Sequence, residues 1–181
     1  SEIPGEKIKR GDLSNAEWKQ LQTRIECLES APIYIDDTAN MSISELCSKA
    51  RRLSSERGIK CIIIDYLQLM NASGMSYGSR EQEVSIISRS LKGLAKELNI
   101  PVIALSQLNR GVEQRSRDDK TPQLSDLRES GAIEQDADMV VFIHRPEYYG
   151  ITTDKDGNSN EGVAEIIIAK HRSGSVGTVR L

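Results

Sequence analysis

Polar and apolar positions follow two different patterns along the chain, and the first pattern predicts three helices. Apolar residues recur at spacings of three and four after Ser14, Ser42 and Ser79. Each serine is followed three positions later by Glu or Gln, which is the capping box that begins a helix by satisfying its free amide groups. Gly58 and Asn99 stand where the second and third helices are expected to end. The pattern therefore predicts three amphipathic helices.

The second pattern is a set of short, unbroken apolar runs between and after these helices. They lie at Ile33–Ile35, Cys61–Ile64, Val102–Leu105, Met139–Ile143 and Ala164–Ala169. Because the runs do not alternate with polar residues, we expect both faces to be buried, as in a parallel sheet that helices cover. Strands alternating with helices predict an α/β fold. A polar loop typical of a hairpin precedes the last run, so antiparallel pairing is expected near the end.

Composition and charge narrow the class of protein. The 181 residues suit one domain with a sizeable core, and the low aromatic content of 4% means that aliphatic side chains must build that core. A net charge of -3 excludes a polycationic nucleic-acid-binding protein but leaves room for a local basic groove. The apolar runs are far shorter than the ~20 residues that cross a bilayer. We therefore expect no contact with a membrane. The three cysteines, Cys27, Cys47 and Cys61, form no CxxC pair and are typical of reduced thiols, so we expect a cytoplasmic protein.

Polar residues follow two of the predicted strands at the edge where α/β sheets bind ligands. Asp65 comes directly after the run Cys61–Ile64 and could organise Mg²⁺ with its water shell, although a turn-forming Asp is an equal alternative. Gln107 follows the run Val102–Leu105 and could sense a γ-phosphate or position water. It could equally be a plain hydrogen-bonding residue at a strand end.

Two charged segments adjoin the last two runs. The segment 126–138 is dense in charge, which is usually explained by a solvated face, but Gly131 beside Arg128 would let backbone amides approach a phosphate. Lys170 and Arg172 are two residues apart at a strand end, so their side chains should point to the same face. They suit phosphate contacts within the chain or across a subunit boundary, or protection of an edge strand.

The sequence contains no GxxxxGK[ST] segment, the loop that cradles a triphosphate. Asp65 alone would therefore be weak support for a nucleotide site.

Four segments in order resemble the DnaB family of bacterial replicative DNA helicases. They read IDYLQLM at 64–70, IALSQLNRGVE at 103–113, DLRESGAIEQDAD at 126–138 and IAKHR at 168–172. The segment 34–38 is also similar to the family's strand before the Asp65 strand. The resemblance covers nearly the whole chain.

The resemblance implies a RecA-like motor domain with a mainly parallel central sheet flanked by helices. Residues 1–181 would form part of that domain from the Walker B strand onward, and the sheet would be incomplete at its amino-terminal side. The family's Walker A loop, catalytic glutamate and amino-terminal domain would lie before Ser1. The parent protein would form hexameric rings around single-stranded DNA, hydrolyse ATP between neighbouring subunits and unwind duplex DNA at the replication fork. A helicase loader and primase are the further partners that the family implies.

The resemblance also implies the roles of four residues at the ATP site. Asp65 matches the Walker B acid that organises Mg²⁺, and Gln107 matches the residue that couples the nucleotide state to the DNA-binding loops. Lys170 and Arg172 match a pair offered to the adjacent subunit's nucleotide, with Arg172 as the finger. ATP and Mg²⁺ would be the cofactors of the intact protein, whereas the fragment alone is expected to bind neither and to lack ATPase activity.

Arg128, Glu129 and Gly131 match the family's loop that contacts the DNA backbone. Two other interpretations stay open beside the helicase. A recombinase-type RecA-like ATPase would share the strand that precedes Asp65 but not the amino-acid sequence of residues 128–131. A non-enzymatic nucleic-acid-binding or ring-assembly module would lack the phosphate loop altogether.

Overall fold

The computed structural model describes residues 2–74, 77–109, 111–116, 120–154 and 156–181, and of residues 128–130 the backbone only. The chain forms two compact units, Ser1–Thr38 and Ala39–Leu181.

The first unit contains helices α1 (Gly5–Arg10) and α2 (Asn15–Glu29). Helix α2 begins at the predicted capping box: Ser14 Oγ accepts a hydrogen bond from the Glu17 amide at 3.3 Å, and Glu17 Oε2 accepts one from the Ser14 amide at 2.8 Å. The apolar stripe of α2 is not buried, since Trp18 is 47% exposed. The expected strand at Ile33–Ile35 was wrong, because this segment forms no strand and pairs with none in the described part of the chain.

The second unit is built around α3 (Ile43–Arg57) and α4 (Arg80–Leu98), which begin and end where the sequence predicts. Ser42 and Ser79 accept hydrogen bonds from the amides three residues later. Gly58 and Asn99 end the two helices in the left-handed conformation, with φ of 63° and 53°. The apolar stripe of α4 packs into the core through Val84, Ile87, Leu91 and Leu94.

Two small sheets accompany these helices. Strands β1 (Ile62–Ile64) and β2 (Val102–Ala104) pair in parallel. The other sheet is antiparallel, in the order β3-β4-β5, with β3 at Met139–His144, β4 at Glu165–His171 and β5 at Gly177–Arg180. The predicted α/β fold and the antiparallel pairing near the end are confirmed.

The expectation that both faces of the strands are buried was wrong. Buried and exposed residues alternate along β3, and Ile143 on its outer face is 71% exposed. Ile63 in β1 is likewise 69% exposed. In the described structure the helices therefore cover one face of these strands.

A β-bulge interrupts the pairing of β3 with β4. Val140 pairs with Lys170, but the next residue, Val141, pairs with Ile168. Ala169 is therefore an extra, unpaired residue in β4.

Short helices connect these elements: α5 (Gly111–Gln114), α6 (Gly131–Asp136) and 3₁₀ helices at Leu67–Leu69, Leu124–Ser130 and Pro146–Tyr149. One buried cluster joins α3, α4 and the end of β1, and a second lies between the 3₁₀ helix Leu124–Ser130 and the inner face of β3. Among the described residues, no helix has the length and apolar character that a membrane crossing requires.

Candidate functional site

Asp65 and Gln107 lie on neighbouring segments because β1 and β2 are parallel and in register. Ile64 pairs with Ala104, so both strands end at the same edge of the sheet. Beyond this pair, the Leu105 amide donates to the Ile64 carbonyl and the Leu67 amide donates to the Leu105 carbonyl, each at 2.9 Å. Asp65 and Gln107 are both exposed at this edge.

The side chain of Gln68 joins the two strand ends. Its Oε1 accepts a hydrogen bond from the Gln107 amide at 3.2 Å, and its Nε2 donates to the Gln107 carbonyl at 3.3 Å. Nε2 also donates to Ser106 Oγ at 3.0 Å. The segment after β1 thus contacts the segment after β2 through both backbone polar groups of Gln107.

Arg80, the first residue of α4, holds the backbone around Gln68. Its Nη2 donates to the Gln68 carbonyl at 2.9 Å and its Nη1 donates to the Met70 carbonyl at 3.3 Å. The same guanidinium pairs with Glu83, whose side chain is 6% exposed. Glu83 Oε1 also accepts a hydrogen bond from the Ala72 amide at 2.9 Å.

Glu83 is charged although it is buried. Burial by itself raises the pKa of its carboxyl, but hydrogen bonds from the Ala72 amide, Arg80 and Tyr77 outweigh burial and hold the pKa below its usual value. Charge-assisted hydrogen bonds of this kind are stronger than neutral ones. Glu83 therefore anchors Arg80 as a carboxylate.

The segment after Gln107 is joined to the segment that precedes Gly131. The Asn109 amide donates to the Asp126 carbonyl at 3.0 Å. The Asp126 side chain is buried, pairs with Arg115 and accepts the Gln123 amide at 2.7 Å. These contacts hold the 3₁₀ helix Leu124–Ser130, which contains the first residues of segment 126–138.

Lys170 and Arg172 contact the carboxyl end of α6. Lys170 Nζ donates to the carbonyl of Glu134, and Arg172 Nη2 donates to the carbonyl of Gln135 at 2.5 Å. The two side chains therefore share a face, as predicted. Cations at the free carbonyls of a helix end stabilise it, so within this chain the pair caps α6.

Asp138 lies between α4 and the end of β4. Its carboxylate pairs with Lys92 of α4 and lies 3.8 Å from Arg172 Nε, and its carbonyl accepts the Arg172 amide at 2.9 Å. The hydrogen bond from Lys92 is the main cause that holds the pKa of Asp138 below its usual value, against the opposing effect of burial, and the charges of Lys92 and Arg172 lower it further.

Helix α4 thus contacts both groups of predicted site residues. Arg80 supports the strand ends at Gln68, and Lys92 reaches Asp138 beside Arg172. At 1.5 Å per residue, these two positions are about 18 Å apart along the helix.

The predicted DNA-contacting residues divide between two elements. Arg128 and Glu129 belong to the 3₁₀ helix Leu124–Ser130, and their side chains lie outside the described part of the structure. Gly131 is the first residue of α6, whose other end Lys170 and Arg172 contact.

The exposed carboxylate of Asp65 fits Mg²⁺ held jointly with a nucleotide. Among the described residues, no three His, Cys, Asp or Glu side chains come together as a metal site. Mg²⁺ usually keeps several waters and takes one or two carboxylates plus substrate phosphates, so one acid at a strand end is a suitable protein ligand.

Sequence reasoning missed Gln68, Arg80 and Lys92 as supports of the site. Each of them acts on a residue far along the chain or on a backbone group, so no local pattern identifies it. The one available signal was that Gln68 lies in the same segment as Asp65.

Comparisons with known proteins show the family to which the chain belongs. All 181 residues match the family described as the DnaB-like helicase C terminal domain. The chain is 51% identical over 179 residues to the replicative DNA helicase DnaC of Bacillus subtilis (strain 168) and 52% identical over 179 residues to the replicative DNA helicase DnaB of Geobacillus stearothermophilus. These alignments cover 99% of this chain but 38% of each relative.

Two solved structures are similar over almost the whole chain. One is an ATPase domain that aligns with a TM-score of 0.86 and 44% identity, covering 99% of this chain and 62% of that one. The other is a DnaB-like replicative helicase, solved in a study of its interactions with primase, which aligns with a TM-score of 0.84 and 44% identity, covering 97% and 41%. The RecA-like fold is therefore confirmed. With the family matched from end to end and the strand-end residues in place, the chain belongs to the DnaB-like helicases, as part of their carboxy-terminal domain.

Proposed function

We propose that residues 1–181 form part of one RecA-like motor domain, from the Walker B strand onward, of a hexameric replicative DNA helicase. The intact protein hydrolyses ATP between subunits, moves along single-stranded DNA and unwinds the duplex at the fork in the cytoplasm. A helicase loader and primase are its proposed partners. The names of the similar proteins, which are replicative helicases, support this function over a recombinase or a non-enzymatic module.

The main support for the proposal is a series of hydrogen bonds that connects the ends of β1 and β2 with the segment proposed to contact DNA. Gln68 links the Asp65 segment to Gln107, and the Asn109 amide links the next segment to Asp126. Asp126 begins the segment that continues into Gly131. A structural change at the sheet edge that contains Asp65 and Gln107 can therefore be transmitted to the residues proposed to contact DNA.

In this proposal Mg²⁺-ATP supplies the transferable phosphoryl group. Asp65 would hold the metal through its water shell, and Gln107, at the same edge of the sheet, would contact the γ-phosphate and respond to its presence. Lys170 and Arg172 face the neighbouring subunit's nucleotide, where Arg172 stabilises charge that develops in the transition state. Arg128, Glu129 and the Gly131 amide contact the DNA backbone.

The test uses the intact hexameric protein with Asp65→Asn, which keeps the shape of the side chain and removes its charge. We expect ATP hydrolysis and strand displacement to fall together by about 100-fold or more, because metal-ion catalysis is worth several kcal/mol. Asp12→Asn, at an exposed acid of the first unit, is the matched control. Strand displacement at the parent rate by Asp65→Asn would overturn the proposal.

A further inference from the structure

We propose that Gln68 is a positioning residue that fixes Gln107 relative to Asp65, so that the two strand ends respond to the nucleotide as one unit. The inference rests on the proposed function and adds to it a residue that acts through Gln107.

The contact between Gln68 and Gln107 reproduces a pair of sheet hydrogen bonds with one side chain. A primary amide carries an acceptor and two donors in one plane, and Gln68 uses the acceptor on the Gln107 amide and a donor on the Gln107 carbonyl. The second contact of Nε2, to Ser106 Oγ, fixes the orientation of the amide. A Glu carboxylate lacks the donors of this set, and Met and Ala lack the donors and the amide oxygen.

Gln68 is itself held on both sides. Leu67 and Met70 beside it are 3% and 5% exposed, and Arg80 binds the carbonyls of Gln68 and Met70. Arg80 is anchored by the buried Glu83. The amide of Gln68 is therefore presented from a fixed backbone.

Gln107, by contrast, follows β2 by three residues, beyond the parallel ladder that ends at Ala104. Its backbone is held by the Gln68 amide, while Gln107 as a residue is exposed at the ligand edge. A group that must meet a phosphate needs placement to within about 0.5 Å, and a displacement of about 1 Å can cost 10²-fold in rate. Removing the Gln68 amide should therefore impair turnover more than nucleotide binding.

The experiment measures ATP hydrolysis by the intact hexameric protein, with and without single-stranded DNA. We expect Gln68→Ala and the similarly sized Gln68→Met to lower the DNA-stimulated kcat by about 10- to 100-fold, with the KM for ATP changed less than about threefold and the hexamer retained. Gln22→Ala, at an exposed glutamine of α2, should behave as the parent.

Gln68→Glu provides a pH dependence of kcat that a purely structural role of Gln68 would not produce. The introduced carboxylate can accept from the Gln107 amide but cannot donate to its carbonyl. Protonation restores a donor, so the kcat of Gln68→Glu relative to the parent should rise as the pH falls from about 8 towards about 5, the region in which carboxyls begin to protonate. A flat ratio would contradict the proposed contact.

Gln107→Ala separates failure of the inference from failure of the proposed function. If Gln107→Ala keeps its DNA-stimulated hydrolysis, the role proposed for Gln107 is wrong and the inference falls with it. If Gln107→Ala loses stimulation while Gln68→Ala and Gln68→Met keep it, the inference alone is overturned. Loss of the hexamer in both Gln68→Ala and Gln68→Met would make Gln68 a folding residue and would also overturn it.

Discussion

Arg172 donates a hydrogen bond from Nη2 to the carbonyl oxygen of Gln135, at 2.5 Å, in the last turn of α6. Lys170 binds the preceding carbonyl, that of Glu134. The two cations proposed to reach a neighbouring subunit thus have partners within their own chain. Their contacts lie at the far end of the helix that begins at Gly131, so one short helix connects the two proposed ATP-contacting cations with Gly131, one of the proposed DNA-contacting residues.

The first prediction concerns Arg172 in the intact hexamer. Arg172→Ala should lower ATP hydrolysis by ~10³-fold or more, because an arginine finger stabilises charge that grows in the transition state. Nucleotide binding, measured by fluorescence titration, should remain. Arg52→Ala, at an exposed arginine of α3, is the control.

Mixed hexamers show whether this finger acts across the subunit boundary. Subunits carrying Arg172→Ala, mixed with subunits defective in the phosphate loop, should regain part of the activity, since some interfaces then pair an intact finger with an intact loop. Hydrolysis by Arg172→Ala at the parent rate would show that Arg172 is not an arginine finger and only caps α6.

The second prediction concerns the buried ion pair of Asp126 with Arg115. Asp126→Asn should lower the free energy of unfolding by about 3 kcal/mol, because it leaves a largely buried guanidinium without its counter-charge. Urea unfolding measures the change, and Glu161→Gln at an exposed position should leave the midpoint unmoved. An unchanged midpoint for Asp126→Asn would contradict the prediction and would show that water solvates the Arg115 guanidinium in the variant.

The third prediction concerns the pH dependence of stability that Glu83 imposes. Its pKa in the folded protein lies below the unfolded value, so the stabilisation is fully present above the unfolded pKa and is lost as the pH falls through the folded pKa. Unfolding curves collected from neutral pH downward should show a smaller acid-dependent loss in Glu83→Gln than in the parent. Glu81→Gln, at an exposed neighbour on α4, should retain the parent's slope. Identical slopes for all three proteins would refute the charged anchor.

Local patterns predicted the helices and the strand-end residues well. Ser14, Ser42 and Ser79 cap helices because capping depends on residues three apart. Asp65 and Gln107 follow strands that end at the same edge of the sheet, because β1 and β2 are parallel and in register. The segment Ile33–Ile35 was mispredicted because a strand needs a partner, which an apolar run does not specify. Gln68 was missed because its contacts join residues 39 positions apart.

The bulge at Ala169 decides on which side of the sheet the two cations lie. Side chains alternate between faces along a strand, and the extra residue reverses that parity from Lys170 onward. Lys170 therefore lies on the inner face of the sheet, with its partner Val140. Without the extra residue, Lys170 would lie on the outer face, the face on which Val141 lies. A deletion of one residue would turn both cations away from α6 without altering either of them. The chemistry of this strand end therefore depends on residue count as much as on residue type.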